Sequence, residues 1–266
     1  MPMKRDDERR WVEMQYLVPG TPEQVWHAMA TGPGMAAWFT KAEVDGQVGG
    51  RIAFEFEGMG TSTGVVTTWQ PPVRFAYEES GWSGNAPPCA TEIVITARSG
   101  DVCVVRMVHS LFTTEDTWDD ELENFEKGWP GFFEVLRMYL REHAGKPAAT
   151  ASAAAMYGGS VAEAWKKLAA AFGLVGADVG DRCDADGSPI AGSVVRIRQD
   201  AESRDVMLRM TEPAEGVAWI GAQQYGRATR VNAIMWFYGE DAGELAAKHG
   251  PGLATQFAAK FPERRD

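Results

Sequence analysis

Short strand-like segments make up much of the first half of the chain. The segment 11–18, WVEMQYLV, places Val12, Met14, Tyr16 and Val18 on one face, which is typical of a β-strand with one buried side. Further strand-like segments are RIAFEFEG, GVVTTWQ, VRFAYEE and TEIVITARSGDVCVVRMVHSLF. The last contains a Ser-Gly-Asp turn between two strands, which is a hairpin signature. The first half is therefore predicted to form an antiparallel sheet.

Helices are predicted before the segment RIAFEFEG and after the last of the strand-like segments. Thr21 is the expected N-cap of a short helix, because Pro22 suits the first helical position and Gln24 completes a capping box. A second short helix, MAAWF, is expected to follow. A long helix is predicted over roughly 117–143, and Pro130 within it is expected to kink or restart that helix.

The second half repeats this pattern in outline. Ser160 is a predicted N-cap with Glu163 closing a capping box, and Trp165 lies five residues after its cap, as Trp26 lies five after Thr21. Four predicted strands follow: GSVVRIRQ, RDVMLRMT, GVAWIGAQ and TRVNAIMWFY. No counterpart of the strand at 11–18 is evident.

A short sequence frame supports a duplication. The frame Lys-x-x-Pro-Gly occurs at 127–131 and again at 248–252, each time at the head of an apolar helical segment. We therefore predict two tandem copies, residues 1–146 and a shortened copy at 157–266. Residues 147–156 are small, low in complexity and without aromatic residues, so they are predicted to be an interdomain linker.

Charge and cysteine content narrow the classes of partner and compartment. The formal net charge of −11 argues against nucleic acid or an anionic membrane as a partner, since both require a basic face. The three cysteines form no CxxC pair, which fits a reduced, cytoplasmic protein. No apolar run of about 18 residues and no signal sequence is evident, so no membrane span is expected.

Much of the negative charge lies in the segment 115–126, EDTWDDELENFE. Acidic residues are favourable at the N-terminus of a helix, so a solvated helix start explains this segment. A docking surface for a basic protein partner is the alternative.

One histidine has a sequence position suited to chemistry. His109 lies within a predicted strand, on the face expected to be buried, where it could act as a base or orient a ligand carbonyl. A structural histidine satisfied by the backbone is the alternative. The four histidines are scattered without metal-ligand spacing, so neither a metal site nor a cofactor is predicted.

The aromatic residues of the first half suggest an apolar pocket. Successive side chains of a strand point to opposite faces of the sheet. If the other face of these strands were buried, charges such as Glu55, Arg74 and Arg106 would lie inside, which is costly. The positions that alternate with these charges should therefore face inward. The predicted lining comprises nine residues: Phe54, Phe56, Trp69, Phe75, Tyr77, Met107, His109, Trp129 and Phe133.

The order of elements and three segments carry a family resemblance. The segments are TPEQVWHAMATGPGMAAWF, VGGRIAFEF and GWPGFFEVLRMYL. With them the first half resembles the SRPBCC (START-like) superfamily, in the branch of homologues of the heat-shock-protein-90 ATPase activator. The second half resembles it through AEAWKKLA and HGPGLATQFAAKF. The resemblance implies an α+β helix-grip fold, in which a curved antiparallel sheet wraps around a long C-terminal helix.

The resemblance also implies an apolar-ligand cavity between sheet and helix, without a universal catalytic set. The favoured function is therefore binding of an apolar small molecule, without catalysis. Two alternatives remain open. One is an enzyme of the polyketide cyclase or dehydratase type that uses His109 with Tyr77. The other is a protein-interaction or chaperone-regulating module that uses the segment 115–126 or the second half.

Overall fold

The computed structural model describes residues 3–56, 60–82, 85–184 and 187–262. The chain divides into two compact units, residues 1–146 and 147–266. Each unit contains one antiparallel sheet and one long C-terminal helix. None of the helices within the described ranges is long and apolar enough to cross a membrane.

The N-terminal unit consists of an eight-stranded sheet, two short helices and a long helix. Its elements are β1 (Lys4–Arg5), β2 (Arg10–Pro19), α1 (Pro22–Ala30), α2 (Gly32–Ala36), β3 (Lys41–Val44), β4 (Arg51–Phe56), β5 (Gly60–Gln70), β6 (Arg74–Ser80), β7 (Cys89–Arg98), β8 (Val102–Leu111) and α3 (Asp119–Met138). A 3₁₀ turn at Asp116–Trp118 precedes α3, and a π-helical turn at Tyr139–His143 extends it. The strand order is β1-β2-β8-β7-β6-β5-β4-β3.

The start of α1 follows the sequence prediction. The Thr21 side chain accepts a hydrogen bond from the backbone of Gln24, whose side chain in turn accepts one from the Thr21 backbone. Trp26 is 8% exposed and packs its ring edge to face against Trp69, with centroids 4.9 Å apart. The capping box and this aromatic contact together fix α1 against its own sheet, as the position of Trp26 predicts.

The long helix differs from the sequence prediction at its proline. We expected a break at Pro130, but α3 runs continuously from Asp119 to Met138 with Pro130 inside it. The repeated frame at 248–252 likewise lies within an unbroken helix. Both Pro130 and Pro251 are exposed. The backbone hydrogen bond that each proline cannot donate is therefore missing on the solvent side of its helix, where water can bond to the carbonyl that is left without a donor.

The C-terminal unit contains six strands and two helices. Its elements are β9 (Ala148–Tyr157), α4 (Val161–Phe172), β10 (Arg182–Cys183), β11 (Ala191–Gln199), β12 (Ser203–Glu212), β13 (Gly216–Tyr225), β14 (Ala228–Tyr238) and α5 (Ala242–Lys260). The strand order is β10-β11-β12-β13-β14-β9. The first long strand of each unit thus pairs with its last strand, β2 with β8 and β9 with β14, which fits a tandem duplication.

The linker predicted at 147–156 is wrong, because nearly all of it belongs to strand β9. This strand pairs with β14 along its whole length, from Ala148 opposite Tyr238 to Tyr157 opposite Thr229. Its alanines give no hydrophobic alternation, but they let a helix approach closely. A Cβ placed on Gly250 of α5 would lie 3.8 Å from the Cβ of Ala151. Strand β9 is the counterpart of β2 that the sequence pattern did not reveal.

Candidate functional site

The inner face of the N-terminal sheet is defined by its register. Tyr77 lies opposite Thr91, Thr91 opposite His109, and His109 opposite Val12, so these side chains form one row across β6, β7, β8 and β2. Val12, Thr91 and His109 are all at most 4% exposed. Side chains of a cross-strand row share a face, so this row points toward α3.

The nine predicted lining residues lie on this inner face of the sheet or, for Trp129 and Phe133, on α3. Seven are buried, and Phe56 and Trp69 are half-buried. Their rings contact one another, with centroids 5.5 Å apart for Phe54 and Tyr77 and 5.3 Å apart for Phe75 and Tyr77. A register shift between Val66 and Thr68 lets Trp69 share the inner face with Val66. That these residues line a ligand cavity remains a prediction.

Residues outside the predicted set complete the aromatic interior. Phe39, which follows α2, contacts Phe54 and Trp129, with centroid distances of 5.9 and 4.9 Å. The Trp38 indole is buried, and its N–H donates to the carbonyl of Ala28 at 2.9 Å. The sequence analysis placed both residues in a short helix, MAAWF, but α2 ends at Ala36 and both lie in the turn that follows it.

His109 occupies a distinct position in this interior. Its ring stacks on Trp129, with centroids 5.5 Å apart and planes 13° apart, and lies 4.9 Å from the ring of Phe125. Its Nδ1 is 2.9 Å from Oγ1 of Thr91. Its Nε2 is buried and has no hydrogen-bond partner among the described residues. A buried polar atom left unpaired is costly, so this nitrogen marks a place where a ligand atom would be stabilised.

Burial sets the protonation state of His109. Removal from water disfavours the charged imidazolium and lowers the pKa of His109 from 6.5 to about 3. The imidazole is therefore neutral at physiological pH, with one nitrogen that donates and one that accepts.

Further polar side chains adjoin His109 on the inner face, and sequence reasoning missed them. Tyr77 lies opposite Thr91, and Glu79 lies opposite Cys89, on the paired strands β6 and β7. Ser62 donates to Glu79 Oε1 at 2.5 Å. We call this set the inner polar cluster: Ser62, Tyr77, Glu79, Cys89, Thr91 and His109. The alternation that placed Phe75 and Tyr77 inward also implies an inward Glu79, so the signal was present.

Burial disfavours the charged forms of several groups in the inner polar cluster. It raises the pKa of the Glu79 carboxyl, and it raises the pKa values of the Cys89 thiol and the Tyr77 phenol, with the Glu79 charge adding to both. Cys89 is therefore held as a thiol, which is a poor nucleophile. Within the described ranges, no group of three or more His, Cys, Asp or Glu residues is placed to hold a metal ion.

A comparison with protein families gives a match to most of the N-terminal unit. Residues 19–141 match the family described as activator of Hsp90 ATPase homolog 1-like protein. These residues belong to that family. The match runs from Pro19, the last residue of β2, into the π-helical turn after α3, and it therefore contains the inner polar cluster. No curated protein sequence matches the chain.

Solved structures give likenesses of low identity. DynU16, a protein of the dynemicin biosynthetic locus, is 15% identical with a TM-score of 0.45, and the match covers 96% of this chain and 98% of that one. CalU16 from Micromonospora echinospora is 19% identical with a TM-score of 0.43, covering 53% and 83%. The Aha1 dimer from Colwellia psychrerythraea is 22% identical with a TM-score of 0.42, covering 50% and 96%.

An ion pair joins the sheet to α3 at one end of the N-terminal unit. Arg10 on the inner face of β2 is 6% exposed, and its Nη1 lies 2.7 and 2.6 Å from the two carboxylate oxygens of Asp119, the first residue of α3. Arg10 also donates to the carbonyl of Thr114 at 3.1 Å. One member of the acidic segment 115–126 is therefore used to hold helix to sheet, whereas Glu115, Asp116, Asp120 and Glu123 are exposed.

We expect Asp119→Ala to destabilise the N-terminal unit by about 2–3 kcal/mol. The substitution leaves the buried Arg10 charge without its partner, and the partial exposure of Asp119 reduces the cost below that of a fully buried pair. Urea unfolding measures the loss. Asp120→Ala removes an exposed acid from the same helix turn and should cost well under about 1 kcal/mol. Equal losses in the two variants would contradict a structural role for the ion pair.

Proposed function

We propose that the N-terminal unit binds an apolar small molecule that carries a hydrogen-bond acceptor, and that His109 holds this acceptor. The observation that supports the proposal is the unpaired, buried Nε2 of His109 inside an aromatic interior. Ligand pockets combine mostly apolar walls with a few fixed polar groups, and His109 in its aromatic surroundings has this composition.

The tautomer of His109 sets the kind of ligand atom that it can hold. Burial raises the pKa of Tyr77 well above its ordinary value, so Tyr77 keeps its proton. In the tautomer that we propose, the Thr91 hydroxyl donates its proton to Nδ1 of His109 across 2.9 Å. The imidazole proton is left on Nε2, which becomes a donor. A ketone, quinone or ester oxygen fits such a donor, whereas an ammonium group does not.

Access to His109 is through half-buried aromatic side chains. Phe125 covers the His109 ring, and Trp82 lies against Phe125 with ring centroids 5.4 Å apart. Both are only half-buried. Because the interior rings are in contact, a ligand binds by displacing such a cover, and a half-buried ring loses less buried surface on moving than a fully buried one.

The protonation states favour binding over catalysis. A general acid or base works best with a pKa near the operating pH, but the pKa of His109 is lowered to about 3 and that of Tyr77 is raised well above 10. Neither group exchanges protons readily near neutral pH. His109 and Tyr77, the pair considered for a cyclase or dehydratase, are therefore proposed to orient a ligand and not to transform it.

Binding of the dye Prodan tests this proposal. Prodan is an apolar naphthalene ketone whose fluorescence reports its surroundings, and we expect one dye to bind per chain. His109→Leu should weaken Prodan binding roughly tenfold, the worth of one buried hydrogen bond. The same variant should bind 2-ethylnaphthalene, which lacks the acceptor, no more weakly than the wild type does.

Val105→Ala provides the matched control, because Val105 is a buried, inward side chain of the same strand, is not among the nine predicted lining residues and carries no polar atom. It should leave Prodan affinity unchanged. The proposal fails if folded wild-type protein does not bind Prodan. It also fails if His109→Leu and the wild type bind the dye equally.

A further inference from the structure

A second concave site lies on the opposite, outer face of the same sheet. It is a pocket of about 290 Å³. The residues that line it include Arg9, Trp11, Arg74, Arg106 and Phe112. Two members of the inner polar cluster, Tyr77 and Thr91, also border the pocket, but they share a cross-strand row with His109, so their side chains belong to the opposite face of the sheet.

The strand register explains the shape of this outer-face pocket. Ser110 lies opposite both Trp11 and Ala90, and Val108 lies opposite Glu92, which lies opposite Ala76. Alanine, serine and valine side chains are small, so the middle of the sheet forms a shallow floor between longer side chains. Ala76, Val108 and Ser110 are each at most 9% exposed, although they face away from α3.

The two ends of the pocket differ in chemistry. At one end are Arg74 and Arg106, both ion-paired to Glu92, with Arg74 Nε to Oε2 at 2.9 Å and Arg106 Nη1 to Oε1 at 3.1 Å. At the other end are Trp11 and Phe112, and Phe112 is 50% exposed. The Arg9 guanidinium lies over the Trp11 ring, 4.7 Å from its centroid.

Arginine is the commonest charged residue in the lining of the pocket. Three arginines and one glutamate line it, and acidic residues beside the pocket pair with two of these arginines. Glu92 and Glu13 hold the guanidinium of Arg106 in place, with Glu13 Oε1 at 2.7 Å from its Nε. Each guanidinium has five N–H donors, and these contacts use two of those on Arg74 and two on Arg106. Fixed donors with spare N–H groups suit a carboxylate.

We propose that the outer-face pocket binds a small aromatic carboxylate. The carboxylate is held by Arg74 and Arg106, and the aromatic body lies over the small floor residues toward Trp11 and Phe112. Ser110 lies four positions after Arg106 in β8, which is roughly 13 Å along a strand. A bicyclic aromatic acid fits this length, and Trp11 and Phe112 offer it stacking surface.

Titration of the full chain with 2-naphthoate tests the proposal, with amide chemical shifts as the readout. We expect saturable shifts at residues of β6, β7 and β8. Arg106→Met should weaken binding roughly tenfold or more, since a charge-assisted hydrogen bond is lost. The neutral analogue 2-naphthamide should bind more weakly by a similar factor.

Three variants make the result decisive. Ala90→Phe fills the floor without changing any charge and should abolish binding, whether or not Arg106→Met folds well. Arg51→Met removes an exposed arginine that is ion-paired to Glu43 outside the pocket, and it should have no effect. His109→Leu should also have no effect, which separates this site from the interior. The proposal is overturned if 2-naphthoate does not bind, or if binding survives Ala90→Phe.

Discussion

Trp26→Ala should lower the unfolding free energy of the N-terminal unit by about 3–5 kcal/mol, the usual cost of truncating a buried large aromatic residue. Trp26 is 8% exposed, and its ring is edge to face with both Trp69 and Phe75. The substitution leaves a cavity where α1 meets the sheet. Chemical denaturation followed by circular dichroism measures the loss.

A second tryptophan offers the matched control for this prediction. Trp11 is half-buried on the outer face of the sheet, so Trp11→Ala removes less buried surface and should cost far less. If Trp26→Ala unfolds at the same denaturant concentration as the wild type, α1 is not held to the sheet by this residue.

His109 should make the N-terminal unit less stable in mild acid. Above pH 6.5 the imidazole is neutral in both the folded and the unfolded chain, so its full contribution is present. As the pH falls, the unfolded chain takes up a proton that the folded chain, with the pKa of His109 at about 3, does not. Between pH 7 and pH 4 this difference amounts to about 3 kcal/mol.

A comparison of variants isolates this histidine from the carboxylates that also titrate. Glu79 acts in the opposite direction. Its pKa is raised in the folded chain, so Glu79 stabilises the folded state at pH values below its ordinary pKa, and this stabilisation is lost as the pH rises. In His109→Leu the loss of stability between pH 7 and pH 4 should be smaller than in the wild type by about 3 kcal/mol. Parallel stability curves for the two proteins would mean that His109 is solvated and titrates normally.

Periodicity was sufficient to predict the inner face of the N-terminal sheet. Charges at Glu55, Arg74 and Arg106 fixed the register of three strands, because burying them unpaired is costly. The structure places the alternate positions of these strands toward α3, as this argument requires. Capping boxes located the starts of α1 and α4, because a capping box joins two residues that are only three positions apart in the sequence.

The features that were missed depend on contacts between distant segments. Strand β9 is rich in alanine, and only its pairing with β14 and the proximity of α5 make it a strand. Glu79 is tolerated on the inner face because Ser62, from the neighbouring strand, donates to it. The outer-face pocket requires the register of four strands at once, which no single segment encodes.

The most direct test of ligand binding by His109 is the ¹⁵N spectrum of its imidazole in the full chain, with and without Prodan. The structure leads us to expect a neutral ring whose Nε2 carries the proton, with no titration near pH 6.5. Prodan should shift the Nε2 resonance more than that of Nδ1, since Nδ1 stays bonded to Thr91. A ring that titrates near pH 6.5, or an Nε2 resonance that does not move while Prodan binds, would contradict the proposed site.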